Sequence, residues 1–522
     1  MAQRVSGRGG FGRRRFLELT GGGLAALSAS ELLLVARAEA RTGGIGYFAR
    51  FGVTEKLIAD TLAVALSRGG DTADVFFQHR IANNLVLEDG AVNRAFTQVE
   101  LGVGVRVVKG DQTGYGFTED LSPAALKECA RTAATIADGA ARKAPTRFHV
   151  DAKLPDRYPV KTAWDAVRPA QKLPMLEDLE KRTFAGDPRV KKVTVSFGDE
   201  AGAVLIADSA GRIAEDVQPM TRTVVSCIAE QDGKREQGYY NVAARSGPEF
   251  YTKERLDRLV SEAVRRTTIL FEAVPAPAGE MPVVLAAGSS GILLHEAIGH
   301  GMEADFNRKG TSIYSDKINK PIAAPFVNIV DDATVPGARG AINVDDEGNA
   351  AGTTRLVENG VLTTYLHDAI SARHYGVAPT GNGRRESYQY APMPRMRATY
   401  MLPGPHAKEE IIQSVKSGLY CDNFTNGQVR IGSGDFTFYV KNGWLIEDGK
   451  LTRPVKDINV IGNGPKVLEK VDMVSNDLVI DEGGWTCGKD GQSVPVSQGI
   501  PTVRVSSITV GGQAKKPASG KA

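Results

Sequence analysis

The chain is short of several features that would each point to a particular class of protein. Cysteine is scarce, with 4 in 522 residues, so no framework of disulfides carries the fold. Opposite charges nearly cancel, because 64 Lys and Arg face 61 Asp and Glu and leave a net charge of +3. This balance argues against a nucleic-acid-binding protein that works through bulk positive charge. No segment reaches the about 18 uninterrupted apolar residues of a membrane-spanning helix, so we expect no stable membrane span.

The composition that is present is typical of a folded protein. Hydrophobic residues make up 42% and charged residues 24% of the chain, which excludes a disordered or collagen-like protein. Glycine, with 58 residues, exceeds its usual share of about 7% and indicates many turns in a β-rich body. At roughly 150 residues per domain, the length predicts two large domains or three smaller ones.

The first forty residues have the layout of an export signal. Arg13 and Arg14 precede an apolar stretch that ends near Val35, and small-residue cleavage sites follow. The paired arginines resemble a twin-arginine signal, so we expect a periplasmic or otherwise extracytoplasmic protein. The alternative is a disordered basic tail followed by a short helix, which would leave the protein in the cytoplasm.

The order of predicted elements is mixed and lacks regular βαβ alternation, which favours an α+β fold. A proline-rich stretch, Ala273-Val-Pro-Ala-Pro-Ala-Gly279, is the best candidate for a boundary between domains. The predicted organisation is a signal peptide (1–40), an N-terminal α+β domain (41–273), a linker (274–282), a mainly antiparallel β domain carrying one metal-binding helix (283–513) and a disordered tail (514–522).

Local signals predict several elements of the N-terminal domain. Thr54 can cap a helix that runs to Leu66, and Ser122 followed by Pro123 starts a second helix. Asp89-Gly90 between two strand-like runs predicts a β-hairpin. Residues 144–175 are rich in proline and basic residues and indicate a long connection.

The segment SSGILLHEAIGHGMEAD carries the motif with the clearest chemistry. His295, Glu296 and His300 form H-E-x-x-x-H, in which the two histidines are five residues apart. On a regular α-helix this spacing points the imidazoles about 140° apart, which does not allow them to chelate one ion. A π-bulge, or a break at Gly299, would bring both rings to one face. Glu296 would then lie beside a metal, free to act as a general base; the alternative is a surface helix with two unrelated histidines.

Two histidines leave a catalytic zinc one protein ligand short. Glu303 and Asp305 are candidates on the same segment, and Cys487 in GGWTCGKDGQSVPV is a distant one. A cysteine there either presents its sulfur to a metal or is simply a small buried residue. In TGNGRRESYQYAPMPRM, Arg384 and Arg385 are predicted on a turn, as part of a solvated loop or in contact with substrate or a partner.

Three long motifs, in this order, resemble one known family. HEAIGHGMEADFNRKGTS, then PTGNGRRESYQYAPMPRM with TYMLPG soon after, then CGKDGQSVPV are similar to the PmbA/TldD family of zinc metalloproteases. The H-E-x-x-x-H motif places the chain on the TldD-like branch, because the PmbA-type (TldE) partners lack it. The resemblance covers nearly all of residues 50–513.

The resemblance implies a site and an activity. It implies one zinc ion per chain, bound by His295, His300 and Cys487, with Glu296 as catalytic acid and base. Glu303 and Asp305 then become candidates to support the ligands from behind by hydrogen bonding. The implied function is a zinc-dependent metallopeptidase that cleaves unfolded or extended peptides with metal-activated water.

The resemblance also implies partners. Family members cleave unfolded or leader peptides and work as a heterodimer with a PmbA/TldE-like subunit; a homodimer is the alternative here, and no nucleic acid is expected. The export signal departs from the familiar members, which are cytoplasmic. The rival function is a non-catalytic peptide-binding or assembly subunit with a structural zinc, whose fourth ligand would be Glu303 or Asp305.

Overall fold

The computed structural model describes residues 3–4, 45–150 and 154–512. The predicted signal peptide, apart from Gln3–Arg4, and the predicted tail 514–522 lie outside the described residues. Within the described ranges, no helix combines the length and the apolar character needed to cross a membrane. The α+β class predicted from the sequence is confirmed, because long sheets dominate both halves and helices pack against them.

The N-terminal half is built on one seven-stranded sheet with the order β1-β4-β3-β2-β5-β6-β7. Apart from the parallel pairing of β1 with β4, neighbouring strands are antiparallel. Asp89 and Gly90, both with positive φ, form the predicted hairpin turn between β2 and β3. The strands are β1 (Gln3–Arg4), β2 (Thr72–Glu88), β3 (Ala91–Lys109), β4 (Gln112–Thr118), β5 (Val190–Asp208), β6 (Ile213–Gln231) and β7 (Lys234–Ala244).

Four helices cover this sheet: Glu55–Ala65, Pro123–Ala134, Pro169–Gly186 and Lys253–Thr268. The first two confirm the sequence prediction. Their capping side chains work as expected, since the hydroxyls of Thr54 and Ser122 accept hydrogen bonds from N–H groups in the first helical turn.

The helix Pro169–Gly186 corrects the predicted long connection, which we expected to run from 144 to 175. Two prolines obscured this helix in the sequence. Pro169 occupies the first turn, where its missing N–H costs nothing, whereas Pro174 lies inside the helix. The helix is retained because Leu176 and Leu179 are completely buried in a cluster that also contains Val195 of the sheet.

The C-terminal half contains a seven-stranded sheet, β19-β24-β9-β16-β17-β18-β8, and a six-stranded sheet, β12-β11-β10-β15-β23-β20, with two separate hairpins, β13-β14 and β21-β22. The strands are β8 (Val274–Pro275), β9 (Gly279–Leu285), β10 (Ile329–Asp332), β11 (Thr353–Glu358), β12 (Val361–Leu362), β13 (Gly383–Arg384), β14 (Met393–Pro394), β15 (Ala398–Met401), β16 (Ser417–Arg430), β17 (Asp435–Glu447), β18 (Lys450–Asn463), β19 (Val471–Val474), β20 (Val479–Ile480), β21 (Thr486–Lys489), β22 (Gln492–Pro495), β23 (Ser497–Ile500) and β24 (Val503–Gly511).

Two features of this half go beyond the sequence prediction. The segment predicted as a linker, 274–282, is fixed to the sheet: β8 pairs with β18 at one edge, and β9 lies between β24 and β16. Proline has no N–H to donate to a neighbouring strand. Pro275 is tolerated because β8 is an edge strand with a neighbour on one side only. The metal-binding segment is also not the single helix of this half, since short helices occur at Ala304–Arg308, Ala369–Tyr375, Lys408–Gln413 and Gly464–Glu469.

A buried ion cluster joins the two halves. Arg106 on β3 donates through Nε to Asp74 on β2 and through Nη1 to Glu347 of the C-terminal half, both at 2.6 Å. The three side chains are at most 6% exposed. A buried charge of this kind is tolerated only while its partners are in place.

Replacing Arg106 with alanine is therefore expected to lower the free energy of unfolding by about 3–5 kcal/mol, because the buried Glu347 loses its counter-charge and Asp74 keeps only Arg385, at 3.4 Å. The midpoint of urea unfolding, followed by tryptophan fluorescence, measures the change. Arg504→Ala is the matched control, because its ion pair with Asp472 is partly exposed and should contribute at most about 1 kcal/mol. Equal midpoints for the two variants would contradict the prediction.

Candidate metal centre

The segment that carries the two motif histidines is not a regular α-helix. A short α-helical turn, Ile292–Leu294, is followed by a π-helix over His295–Gly299 and a 3-10 turn at His300–Met302. The N–H of His300 donates to the carbonyl of His295, which is the five-residue hydrogen bond of a π turn. Residues five apart therefore share one face, through the π-bulge that was one of the two distortions considered from the sequence, and the two imidazole centroids are 5.0 Å apart.

Gly299 is required here for close packing. A Cβ atom on Gly299 would lie 1.9 Å from Sδ of Met396, so only glycine allows the π-helix to approach this side chain. On the other side of the segment, Leu294 and Ile298 are completely buried in the core. The local geometry of the motif thus depends on tertiary packing as well as on its own sequence.

Cys487 lies on strand β21, which pairs with β22 in a hairpin that places Cys487 opposite Val494. The hairpin turns at Asp490 and Gly491, and both have positive φ, as a two-residue turn of this kind requires. Cys487 thus lies on the strand before the turn and not in the turn itself. From this strand its sulfur reaches the helical segment 187 residues earlier.

The structure brings His295, His300 and Cys487 together. One donor atom from each lies within 4.8 Å of the others, and all three residues are buried. The Nε2 of His300 is 3.5 Å from Sγ of Cys487. Tetrahedral zinc, with bonds of about 2.0–2.1 Å to nitrogen and about 2.3 Å to sulfur, would hold these atoms about 3.6 Å apart. The donor set therefore fits zinc, and no fourth His, Cys, Asp or Glu joins it among the described residues.

Cys487 and the two histidines shift the pKa values of one another. Burial raises the pKa of the Cys487 thiol, but the neighbouring His300 and His295 outweigh burial and hold it well below its usual value. Glu303 and Cys487 in turn raise the pKa of His300, although burial opposes this. Zinc binds a thiolate and a neutral imidazole, so its binding would displace the proton that this pair shares.

Glu303 contacts the ring nitrogen of His300 that does not face Cys487. Its Oε2 lies 3.0 Å from Nδ1 of His300, which leaves Nε2 directed towards Cys487. Glu303 is completely buried; burial raises its pKa, but Lys489 and His300 lower it to about 2. Asp305 does not approach the donor set and accepts a hydrogen bond from Lys489 at 2.7 Å.

Two cationic residues that contact Glu303 and Cys487 were not predicted from the sequence. Lys489 lies 3.2 Å from Glu303, and Nη2 of Arg395 donates to the carbonyl of Cys487 at 2.6 Å. The position of Lys489 was a usable signal, because it is two residues from Cys487 on one strand and so shares its face. Arg395 carried no such local signal.

Glu296 is the acidic residue beside the donor set that is not engaged elsewhere. Among the described residues no side chain or backbone group forms a hydrogen bond with its partly exposed carboxylate. Burial raises the pKa of Glu296, while the two histidines lower it in part. The Cγ of Glu296 lies near Gly427 of β16; a Cβ on that glycine would be 3.3 Å from the Cγ of Glu296 and 2.3 Å from the ring of Phe438.

Arg384 and Arg385 are buried, which excludes the solvated loop considered from the sequence. Arg385 stacks over Phe76 and lies 3.4 Å from Asp74, so it ties the two halves together. Arg384 donates to the carbonyls of Met396 and Pro495. A contact of either side chain with substrate remains a prediction.

Comparisons with known proteins agree with the resemblance seen in the sequence. Three family models match: PmbA/TldA metallopeptidase domain 1 over residues 73–137, the central domain over 163–271 and the C-terminal domain over 278–512. A "Metalloprotease TldD homolog" from Haemophilus influenzae is 40% identical over 452 residues, covering 85% of this chain and 94% of that protein.

Two further comparisons concern the metal and the fold. A "Zinc metalloprotease TldD homolog" from Saccharolobus solfataricus is 33% identical over 258 residues, covering 49% of this chain and 57% of that protein. The crystal structure of TldE from Thermococcus kodakarensis shares the fold, with a TM-score of 0.70 at 17% identity, covering 87% of this chain and 99% of that one. On these matches, the chain belongs to the PmbA/TldD family of metallopeptidases, on its TldD-like branch.

Proposed function

We propose that this protein is a zinc-dependent peptidase whose single zinc ion is held by His295, His300 and Cys487. One observation carries the proposal: a buried set of three donors that fits zinc stands beside the Glu296 carboxylate, which has no other partner among the described residues. Three protein donors and a neighbouring acid are the arrangement of hydrolytic zinc sites, where the remaining position takes water or substrate.

The chemistry divides between the ion and Glu296. Zinc, when bound, acts as a Lewis acid towards water and the scissile carbonyl. The Glu296 carboxylate takes a proton from the attacking water, as the water oxygen forms a bond to the carbonyl carbon. Glu296 then gives this proton to the leaving nitrogen while the C–N bond breaks. The products are a carboxylic acid and an amine, and Glu296 returns to its initial state.

The rival function, a non-catalytic subunit with a structural zinc, requires a fourth protein ligand. Its two candidates are engaged elsewhere. Glu303 contacts His300 and Lys489, and Asp305 accepts from Lys489. The contacts of both acids therefore favour support of the ligands over coordination.

We further propose that the substrates are unfolded or extended peptides and that a PmbA/TldE-like subunit is the partner, with a homodimer as the alternative. Family membership supports both proposals.

A test is to purify the chain, measure its zinc content and follow cleavage of a chemically unfolded protein with and without a PmbA-type subunit. We expect one zinc per chain and cleavage that a chelator removes and zinc restores. Zinc-loaded protein that cleaves nothing in either setting would refute the proposed function.

We also propose that residues 1–40 direct export by the twin-arginine route. This proposal is based on the Arg13-Arg14 pair, which precedes an apolar stretch and small-residue cleavage sites. Arg13→Lys combined with Arg14→Lys is expected to retain the protein in the cytoplasm, because the machinery recognises the paired guanidinium groups. Fractionation of cells that express each form measures this. An unchanged distribution of the double variant would show that the segment is not such a signal.

A further inference from the structure

Four arginines lie together where the N-terminal sheet meets the hairpin that carries Cys487; we name Arg222, Arg245, Arg339 and Arg384 the arginine cluster. Arg222 lies on β6, and its guanidinium occupies the space beside Gly484, where a Cβ would come within 2.4 Å of Nε. Arg245 follows β7, and its N–H donates to the carbonyl of Gly337. Arg339 and Arg384 belong to the C-terminal half.

Two members of the cluster hold the hairpin that carries the metal ligand. Arg339 donates to the carbonyl of Trp485 at 3.0 Å, and its Nη2 lies 3.4 Å from Oγ1 of Thr486. Arg384 donates to the carbonyl of Pro495 at 2.8 Å. Thr486 and Pro495 face each other in the hairpin, one pair before Cys487 and Val494. Because strand residues advance about 3.3 Å each, the two guanidiniums lie close to the zinc donors.

The cluster lacks counter-charges. Within the described part of the chain, none of the four guanidiniums has a carboxylate oxygen within 4.0 Å, and the partners of Arg339 and Arg384 are neutral oxygens. Arg245 is 4% exposed, and its Nε has no hydrogen-bond partner. Arg384 is also 4% exposed; buried cations are normally paired, so the lack of a carboxylate beside these two arginines is unusual.

The pKa values of Arg384 and Arg339 are lowered, as expected for guanidiniums without counter-charges. Burial, reinforced by Arg245, lowers the pKa of Arg384 to about 9; burial, reinforced by Arg222, lowers that of Arg339 to about 10. Two carboxylates nearby offset only part of the repulsion. Glu200 is already paired with Arg80, and Asp346 accepts a hydrogen bond from the backbone of Arg385. An anion that binds in this region would therefore supply the negative charge that the cluster lacks.

We propose that Arg222 and Arg339, the two members of the cluster that remain accessible to solvent, bind a carboxylate of the peptide substrate within about three residues of the bond that is cleaved. The proposal rests on the peptidase function and adds a substrate class to it. Extended peptide advances about 3.3 Å per residue, so a carboxylate this near the scissile bond reaches the Thr486–Pro495 pair. Guanidinium is the side chain best suited to carboxylate, because its fork of N–H donors matches the two oxygens. The carboxylate is either the peptide's own C-terminus or an acidic side chain.

The test compares matched peptides on the zinc-loaded protein, with its partner subunit if cleavage requires one. In the first pair, one peptide has a free C-terminal carboxylate and the other an amidated C-terminus. In the second pair, one peptide has Glu and the other Gln at the same position near the cleaved bond. We expect kcat/KM to favour the charged member of at least one pair by about 10- to 100-fold, the range of a charge-assisted hydrogen bond. The pair that shows the preference identifies the source of the carboxylate.

Two variants assign the preference to the cluster. Arg222→Gln and Arg339→Gln are expected to reduce the charged-to-neutral ratio to near one. Arg222 is exposed, and its side chain makes no hydrogen bond among the described residues, so its replacement should not disturb folding. Zinc content checks that the hairpin is intact in Arg339→Gln. Arg94→Gln, on an exposed position of β3, is the matched control and should keep both the ratio and the activity.

The outcomes separate this inference from the proposed function. Cleavage without preference for either charged peptide, or a preference that survives in both variants, would overturn the inference and leave the peptidase intact. Binding of fluorescent peptides to the zinc-loaded Glu296→Gln form, followed by anisotropy, adds an independent measure. A charge preference in binding that both arginine variants abolish would support the cluster even if no peptide were cleaved.

Discussion

Glu296→Gln is expected to abolish peptide cleavage while zinc stays bound. The amide keeps the shape of the side chain but has no basic oxygen able to take a proton from water. General bases contribute about 10²–10⁴-fold to such reactions, so kcat should fall by at least that factor. Zinc should remain at one ion per chain, because Glu296 is not part of the donor set.

The measurement is cleavage of an unfolded protein together with the metal content of the same preparation. Glu469→Gln is the control, since Glu469 is exposed at the end of a short helix and should tolerate the change. Full activity in Glu296→Gln would refute the proposed mechanism. Loss of zinc together with activity would show instead that Glu296 is a ligand.

Cys487→Ala is expected to lose zinc and activity together, because two histidines alone leave the ion one donor short. Cys421→Ala is the matched control. Cys421 is also completely buried but packs in the core, away from any metal donor set among the described residues. Its replacement should lower stability through a small cavity and keep zinc.

Glu303→Gln separates a ligand from a residue that supports a ligand. It removes a charge that contacts His300, so zinc binding should weaken by about 10- to 100-fold without disappearing. In the parent protein, cobalt substitution should give a sulfur-to-metal charge-transfer band in the near ultraviolet. Stoichiometric zinc in Cys487→Ala, with no such band in the cobalt form of the parent, would place the third ligand elsewhere and make Glu303 the first choice.

Several elements were predictable from the sequence because their causes are local. Thr54 and Ser122 each satisfy N–H groups within one helical turn, so the caps act over three residues. Asp89-Gly90 forms a hairpin because both residues accept positive φ. The π-helix over His295–Gly299 is one of the two distortions, with a break at Gly299 as the other, that the spacing of the histidines left open for a shared metal.

The sequence by itself thus determined the α+β class, the helical motif and the identity of the candidate donors through resemblance to the family. The rest depended on contacts between distant residues, which local patterns do not encode. Only the tertiary structure places Cys487 beside His300 across 187 residues, sets Lys489 and Arg395 behind the ligands and fills the space at Gly299 with Met396. The arginine cluster has the same origin, because segments from both halves bring its members together and, among the described residues, leave their charges without carboxylate partners.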